Sequence, residues 1–167
     1  LDIEQVVAID FGSYGFAGCY CLPGHPDNPR IVQNWHDAKA AVELNKNLTA
    51  LLIDKKTEQT VAIGYAAEER YAKAIEKGED EQFMYFQNFK PYLYSTDYLK
   101  KNKEIVSADG KSSLSLSKLI TKSFEAVMEH ALIEVNEFWK GIKGQTTSKE
   151  KTYWVLSVPV IWDEMSK

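Results

Sequence analysis

The stretch Val6-Val7-Ala8-Ile9-Asp10-Phe11-Gly12-Ser13-Tyr14-Gly15 decides the fold of this chain. A short apolar run ends in an acid, as expected for a buried strand, and two glycines bracket the turn that follows. The next apolar segment, 16–22, begins too soon for a parallel return, because a parallel connection needs a long crossover. The stretch therefore predicts an antiparallel hairpin with Asp10 at the carboxyl end of its first strand.

The same turn has the composition of a phosphate-binding loop. Glycines allow backbone N–H groups to approach phosphate oxygens closely, and successive N–H groups in a tight turn form an anion-binding concavity. Ser13 would add a hydroxyl donor, and Asp10 could orient water around Mg²⁺, an ion that usually keeps several waters. A plain hairpin stays open as the alternative, since Asp and Gly are common turn residues. The turn is neither a P-loop nor a dinucleotide fingerprint, because it lacks Gly-Lys-Ser/Thr and a third glycine opening a helix.

The rest of the chain predicts a mixed α/β domain around this hairpin. Further strands are predicted over 30–34, 50–54, 60–63 and 153–158, and helices over 66–77 and 116–140. The longer helix has apolar residues at the 3.6-residue period, Ser115 as its N-cap and Gly141 as its end. A strand after such a helix indicates parallel addition to the first sheet by a right-handed crossover.

Composition limits the classes of partner. The chain has 167 residues, 44% hydrophobic and 26% charged, which is typical of one soluble globular domain. Its net charge is −4 and no basic stripe stands out, so no nucleic-acid partner is expected. No apolar run approaches the roughly 18 residues of a membrane span, so no membrane partner is expected either.

Three local features bear on the compartment. Cys19 and Cys21 would share one face of a strand, a spacing that does not suit a disulfide between them, so they are interpreted as packed thiols in a reducing compartment. Residues 1–5 do not resemble a signal peptide. The sequon Asn47-Leu48-Thr49 is then interpreted as chance, and the chain is expected to be cytoplasmic.

The segment 83–98 is densely aromatic, and Pro91 would end any helix there. Two interpretations stay open at this stage. The aromatic side chains either form a contact surface for another protein or belong to local core beneath a small subdomain.

Four segments, in order along the chain, resemble parts of the heat-shock protein 70 family. Val7-Ala8-Ile9-Asp10-Phe11-Gly12-Ser13 is similar to the first phosphate-binding segment of the actin, hexokinase and heat-shock protein 70 superfamily. Gly64-Tyr65-Ala66-Ala67 resembles the Gly-x-x-Ala stretch of the small subdomain. Phe86-Gln87-Asn88-Phe89-Lys90 resembles the Phe-Lys segment of the divergent twelfth subfamily, which lacks the usual peptide-binding domain. The segment 154–162, with Val158-Pro159, resembles the strand that closes the first half of the ATPase domain.

The resemblance implies a ribonuclease H-like, actin-like ATPase fold, present as a truncated first lobe over residues 1–167. Residues 1–34 and 113–167 would form the core sheet and helix, and 35–112 a smaller inserted subdomain. One hairpin cannot surround a transferring phosphoryl group, which needs donors on several sides. The chain as given is therefore expected to bind ATP feebly and to hydrolyse it negligibly.

The resemblance also implies ATP or ADP and Mg²⁺ as cofactors. The cofactor-binding residues would be Asp10, Gly12, Ser13, Tyr14 and Gly15. Of these, residues 12–14 would lie at the β- and γ-phosphates and Asp10 would hold a Mg²⁺-bound water. Lys90 resembles the catalytic lysine that reaches the γ-phosphate and the attacking water, although a solvated lysine beside a proline is an equal alternative.

The chain departs from the family pattern at three positions. Tyr14 stands where the main family has a second small hydroxyl residue, and its ring could narrow the phosphate site. Pro159 resembles the proline that signals to a peptide-binding domain, but a strand terminator is the simpler interpretation. Lys167 replaces an arginine of the main family, and the two side chains are not interchangeable.

The leading functional hypothesis is a chaperone-type ATPase, with protein clients or co-chaperones as possible partners. A non-catalytic scaffold is the second hypothesis, with Tyr14 blocking turnover and 83–98 serving as a contact surface. A bacterial actin or a sugar kinase is a third, against which Val158-Pro159 and 86–90 argue. Whether the chain acts as an enzyme stays open at this stage.

Overall fold

The computed structural model describes residues 2–22, 25, 27–33, 45–94, 103–144 and 146–157. The strands are β1 (Gln5–Phe11), β2 (Gly15–Cys21), β3 (Arg30–Ile31), β4 (Asn47–Leu48), β5 (Ala50–Asp54), β6 (Thr60–Ile63), β7 (Phe83–Gln87), β8 (Glu104–Val106), β9 (Ser113–Ser115) and β10 (Thr152–Ser157). The α-helices are α1 (Gly64–Lys77) and α2 (Leu116–Lys143).

The first sheet has the order β10-β1-β2-β3, and β4 pairs with β2 beside this path. β1 and β2 form the predicted antiparallel hairpin, whose last pair is Phe11 with Phe16, and β3 continues it as a meander. β10 runs parallel to β1, as predicted, and its last pair joins Asp10 to Ser157. Val158 and Pro159, which contributed to the family resemblance, lie outside the described residues.

The hairpin buries one face only. Val7, Ile9 and Phe11 point into the core, whereas Asp10 is exposed on the opposite face. α2 lies along the buried face, with the rings of Phe11 and Phe124 4.9 Å apart. This alternation is that of a sheet covered by a helix on one side, and it sends the Asp10 carboxylate away from the core.

A buried glutamine joins three elements of this layer. Gln5 Nε2 donates to Thr152 Oγ1 at 2.6 Å, and Gln5 Oε1 accepts from Trp139 Nε1 at 2.9 Å. The amide therefore connects β1 to β10 and to α2. Because a buried polar group without a partner is costly, the two bonds hold the parallel strand in register.

The second sheet has the order β6-β5-β7. Its β5–β6 hairpin was predicted, but β7 was not: the sequence described 83–98 only as aromatic. Met84, Tyr85, Phe86 and Phe89 are all buried, so the interpretation of these residues as local core is confirmed. The contact-surface interpretation is wrong for them, and 95–98 lie outside the described residues. The physical reason is β5, which is buried along nearly its whole length and needs a partner on both edges.

α1 begins two residues before the predicted start. Gly64 has a φ of 63°, a conformation that side chains rarely adopt, and a Cβ at this position would collide with the side-chain amide of Asn47. Gly78, with a φ of 68°, caps the carboxyl end directly after the predicted last residue, Lys77.

α2 confirms the predicted N-cap, since the Ser115 side chain accepts from the Lys118 amide. The helix does not end at Gly141, however, and runs on to Lys143. Gly144 takes the left-handed conformation that closes it, with a φ of 65°. Gly141 remains helical, because a glycine inside a helix costs only about 1 kcal/mol and does not terminate it.

One apolar cluster extends through both sheets. Leu51 and Phe86 of the second sheet belong to the same cluster as Val7 of the first sheet and Val127 of α2. The division into a core and an insertion over 35–112 stays a prediction. Cys19 and Cys21 are free, partly exposed thiols, and no helix in the described part of the chain has an apolar stretch long enough to cross a bilayer.

Candidate functional site

Carbonyl groups of the turn between β1 and β2 accept hydrogen bonds from other groups of the protein. The Gly12 amide donates to Gly15 O at 2.9 Å. Thr49 Oγ1 donates to Gly12 O at 2.9 Å, and the Thr49 amide donates to Tyr14 O at 3.1 Å. Three carbonyl groups of the turn are therefore occupied by donors of the protein itself.

The Tyr14 amide is placed differently. None of the described residues accepts a hydrogen bond from it. The Tyr14 ring is 81% exposed and is therefore not packed over the turn. Whether this ring narrows a phosphate site stays a prediction.

Steric contacts within the protein explain why Gly12 and Gly15 are glycines, without any ligand. A Cβ at Gly12 would collide with Gly15 O, and a Cβ at Gly15 would lie 2.6 Å from Asn47 O. Neither glycine has a positive φ. The Gly-x-x-Gly spacing is thus explained by the close approach of the turn to its own backbone and to β4, and is not by itself a sign of phosphate binding.

Asp10 lies beside this turn, at the carboxyl ends of the parallel strands β1 and β10. Its Oδ1 accepts from Ser157 Oγ at 2.9 Å, and its Oδ2 lies 3.7 Å from Lys46 Nζ. The carboxylate is more than half exposed, so solvent or a ligand can reach it. The structure therefore brings together the predicted acid, the predicted turn and a cation that the sequence did not identify.

Lys90 reaches the same hairpin from the core side. It is only 2% exposed, its ammonium donates to Phe11 O, and its Nζ lies 5.1 Å from the centroid of the Phe11 ring. The interpretation of Lys90 as a solvated lysine is wrong, because the side chain passes through the core. Its ammonium lies against the last residue of β1, while the Asp10 carboxylate points to the opposite face, and the catalytic role of Lys90 stays a prediction.

Two residues that fix the turn were not predicted from the sequence. Asn47 and Thr49 are buried, and both side chains are used. Asn47 Oδ1 accepts from the Tyr65 amide at 2.8 Å, in the first turn of α1. Together with the Thr49–Gly12 bond, this contact couples the start of α1 to the turn. The only sequence signal was the sequon, whose asparagine has a structural role here.

The donors around the turn suit an anion with bound Mg²⁺. An amide, the Ser13 hydroxyl and the Lys46 ammonium match phosphate oxygens. Asp10 is a single carboxylate, and within the described ranges no three His, Cys, Asp or Glu side chains form a metal-binding group. Mg²⁺ is commonly bound through one or two carboxylates together with substrate phosphates and water, and Asp10 could provide one such carboxylate.

Comparison with known proteins shows what the chain is similar to. No protein-family model matches the chain. The chain is 26% identical over 162 residues to heat shock 70 kDa protein 12A of Mus musculus and to that of Homo sapiens, and equally to heat shock 70 kDa protein 12B of Homo sapiens. Each match covers 97% of this chain and 23% of the relative. The resemblance to the twelfth subfamily is thus confirmed, and the chain is similar along nearly its whole length to the N-terminal part of heat shock 70 kDa proteins 12A and 12B.

Proposed function

We propose that this chain binds the phosphates of ATP or ADP at the β1–β2 turn, as the first lobe of an actin-like ATPase of the heat-shock protein 70 type. The observation that carries the proposal is the orientation of the turn. Thr49 donates to the carbonyl groups of Gly12 and Tyr14, and none of the described residues accepts a hydrogen bond from the Tyr14 amide, which belongs to the same hairpin as Asp10.

Each residue of the site has a definite part in this proposal. The Tyr14 amide and the Ser13 hydroxyl donate to phosphate oxygens. Asp10 holds a water of Mg²⁺, and Mg²⁺ neutralises charge on the phosphates when it is bound. The buried Lys90 ammonium adds positive charge beneath the turn, where low polarity strengthens its attraction for an anion.

The proposal includes a limit on activity. Stabilising a transferring phosphoryl group requires donors on several sides, and the described residues provide donors on one side of the turn. We therefore expect weak binding and negligible hydrolysis from these 167 residues. A chaperone role, protein clients, co-chaperones and a cytoplasmic location are further proposals that rest on the similarity to heat shock 70 kDa proteins 12A and 12B.

Substitution of Asp10 tests the proposal. The affinities of ATP and adenosine are measured by NMR titration, with and without Mg²⁺, for the unmodified chain and for Asp10→Asn. We expect Asp10→Asn to bind Mg²⁺-free ATP more tightly, because a negative charge near the phosphates is removed, and to lose severalfold of the gain that Mg²⁺ provides.

Glu76→Gln is the matched control, because it removes the same charge from an exposed position near the end of α1. It should leave both affinities as in the unmodified chain. Equal binding of ATP and adenosine, or equal effects of the two substitutions, would contradict the proposal.

A further inference from the structure

Lys46 is held close to the turn by the strand that follows it. In β4, Asn47 pairs with Phe16 and Leu48 pairs with Gly15, at the start of β2. The backbone of Lys46 therefore lies directly beside the hairpin. Its ammonium reaches the open face of the sheet, 3.7 Å from Asp10 Oδ2.

The ion pair between Lys46 and Asp10 is easily exchanged. The side chains of Lys46 and Asp10 are 69% and 58% exposed. Exposed pairs of this kind contribute little to stability, since solvent screens the attraction and both side chains lose freedom. Buried Lys90 differs in this respect, because its ammonium is fixed within the core. Lys46 is thus the exposed cation of the site and Lys90 the buried one.

Lys46 and Mg²⁺ would compete for the Asp10 carboxylate. The Lys46 ammonium, 3.7 Å from Asp10 Oδ2, would compete electrostatically with a hydrated Mg²⁺ for this carboxylate. A phosphate bound near Asp10 would be repelled by the carboxylate unless a cation stood between them. An ammonium is a compact point charge that binds phosphate well.

We propose that Lys46 is a phosphate-binding residue that exchanges partners when nucleotide binds. In the free chain its ammonium pairs with Asp10. On binding it moves to a phosphate oxygen and releases the Asp10 carboxylate to hold the Mg²⁺-bound water. This inference rests on the proposed function. It adds the Lys46 ammonium as a cation that attracts the phosphates and that pairs with Asp10 while no nucleotide is bound.

The exchange predicts opposite effects of one substitution on two ligands. Lys46→Met keeps the aliphatic stem and removes the charge. It should weaken the binding of tripolyphosphate about three- to fivefold, because an exposed charge contact is lost. It should also strengthen the binding of Mn²⁺ alone at Asp10, because the competing cation is gone.

Both effects can be read from amide signals. Tripolyphosphate binding is followed by the shifts of residues 13–15, and Mn²⁺ binding by paramagnetic broadening at Asp10 and Ser157. Lys140→Met, at an exposed position of α2, is the control with the same change of charge. Lys46→Arg should restore the behaviour of the unmodified chain, since it keeps the charge.

The outcomes separate this inference from the proposed function. Opposite changes in Lys46→Met, absent from Lys140→Met, support the exchange. If the unmodified chain responds to tripolyphosphate but Lys46→Met behaves as Lys140→Met does, the exchange is refuted and the phosphate site stands. If both ligands bind Lys46→Met more weakly, Lys46 has a structural role and the exchange is refuted as well. If the unmodified chain gives no response to tripolyphosphate, the proposed function itself fails.

Discussion

Thr49→Val tests the hydrogen bond from Thr49 Oγ1 to Gly12 O and changes little else in the structure. Valine keeps the branched shape of the side chain and replaces its hydroxyl by a methyl group. Thr49 is 4% exposed, so water has little access to the substituted side chain. The substitution removes the donor to Gly12 O and leaves the backbone bond from the Thr49 amide to Tyr14 O in place.

The size of the effect follows from the bond that is lost. An intramolecular hydrogen bond contributes about 1 kcal/mol net, and a buried acceptor left without its donor costs about 1–3 kcal/mol. Gly12 is partly exposed, so water can satisfy some of this loss. We therefore expect Thr49→Val to lower the free energy of unfolding by about 1–2 kcal/mol.

Urea denaturation measures this change directly. With a slope of about 2 kcal/mol per molar urea, the midpoint should fall by about 0.5–1 M. Thr49→Ser is the matched control, because it keeps the hydroxyl and loses only the methyl group. Thr49→Val should also reduce the response of residues 13–15 to tripolyphosphate more than Thr49→Ser does. Equal midpoints for the valine and serine variants would refute the argument that the hydroxyl positions the turn.

Two further predictions concern other parts of the fold. Gly15→Ala should destabilise the chain by about 1–3 kcal/mol, because its Cβ would lie against Asn47 O. Gly141→Ala, with open space around it, should instead stabilise α2 by about 0.5–1 kcal/mol. Similar unfolding midpoints for the two variants would contradict this prediction. Burial lowers the pKa of His130 below its ordinary 6.5, an effect that the Gln33 carbonyl partly offsets, so the unfolded state binds the proton more readily and stability should fall as the pH drops below 6.5 towards the folded-state pKa. His130→Gln should flatten this part of the pH profile in urea unfolding, and an unchanged slope would show that His130 does not contribute to it.

The parts of the fold that could be predicted are those whose signal is local. The β1–β2 hairpin follows from one apolar run, an acid and a turn, and α2 follows from an uninterrupted period of apolar residues. β7 was missed because its aromatic run has no clear period and precedes Pro91. Its strand conformation depends on β5, whose second edge needs a partner from a distant part of the chain.

The end of α2 illustrates a second limit. Gly141 and Gly144 are equally good stop signals in the sequence. Only the backbone conformation distinguishes them, since Gly144 takes a φ of 65° and Gly141 remains helical. The local sequence pattern does not distinguish the two positions.

The candidate site divides in the same way. Asp10 and the turn stand together in the sequence and were identified from it. Thr49 contacts Gly12 across 37 positions, and Lys46 reaches Asp10 because two residues of β4 pair with β2. A strand of two residues has no periodicity to detect, so neither residue could be assigned to the site from the sequence. Lys90 was assigned from the family resemblance, and its burial emerged only from the structure.

The most direct measurement is the backbone amide signal of Tyr14 during titration of the isotope-labelled chain with Mg-ATP. If the turn binds phosphate through its main-chain amides, the Tyr14 signal should shift progressively with millimolar nucleotide, together with the signals of Ser13 and Gly15. Adenosine should leave all three signals unshifted. A Tyr14 amide that stays fixed at saturating Mg-ATP, or that moves equally with adenosine, would contradict the account.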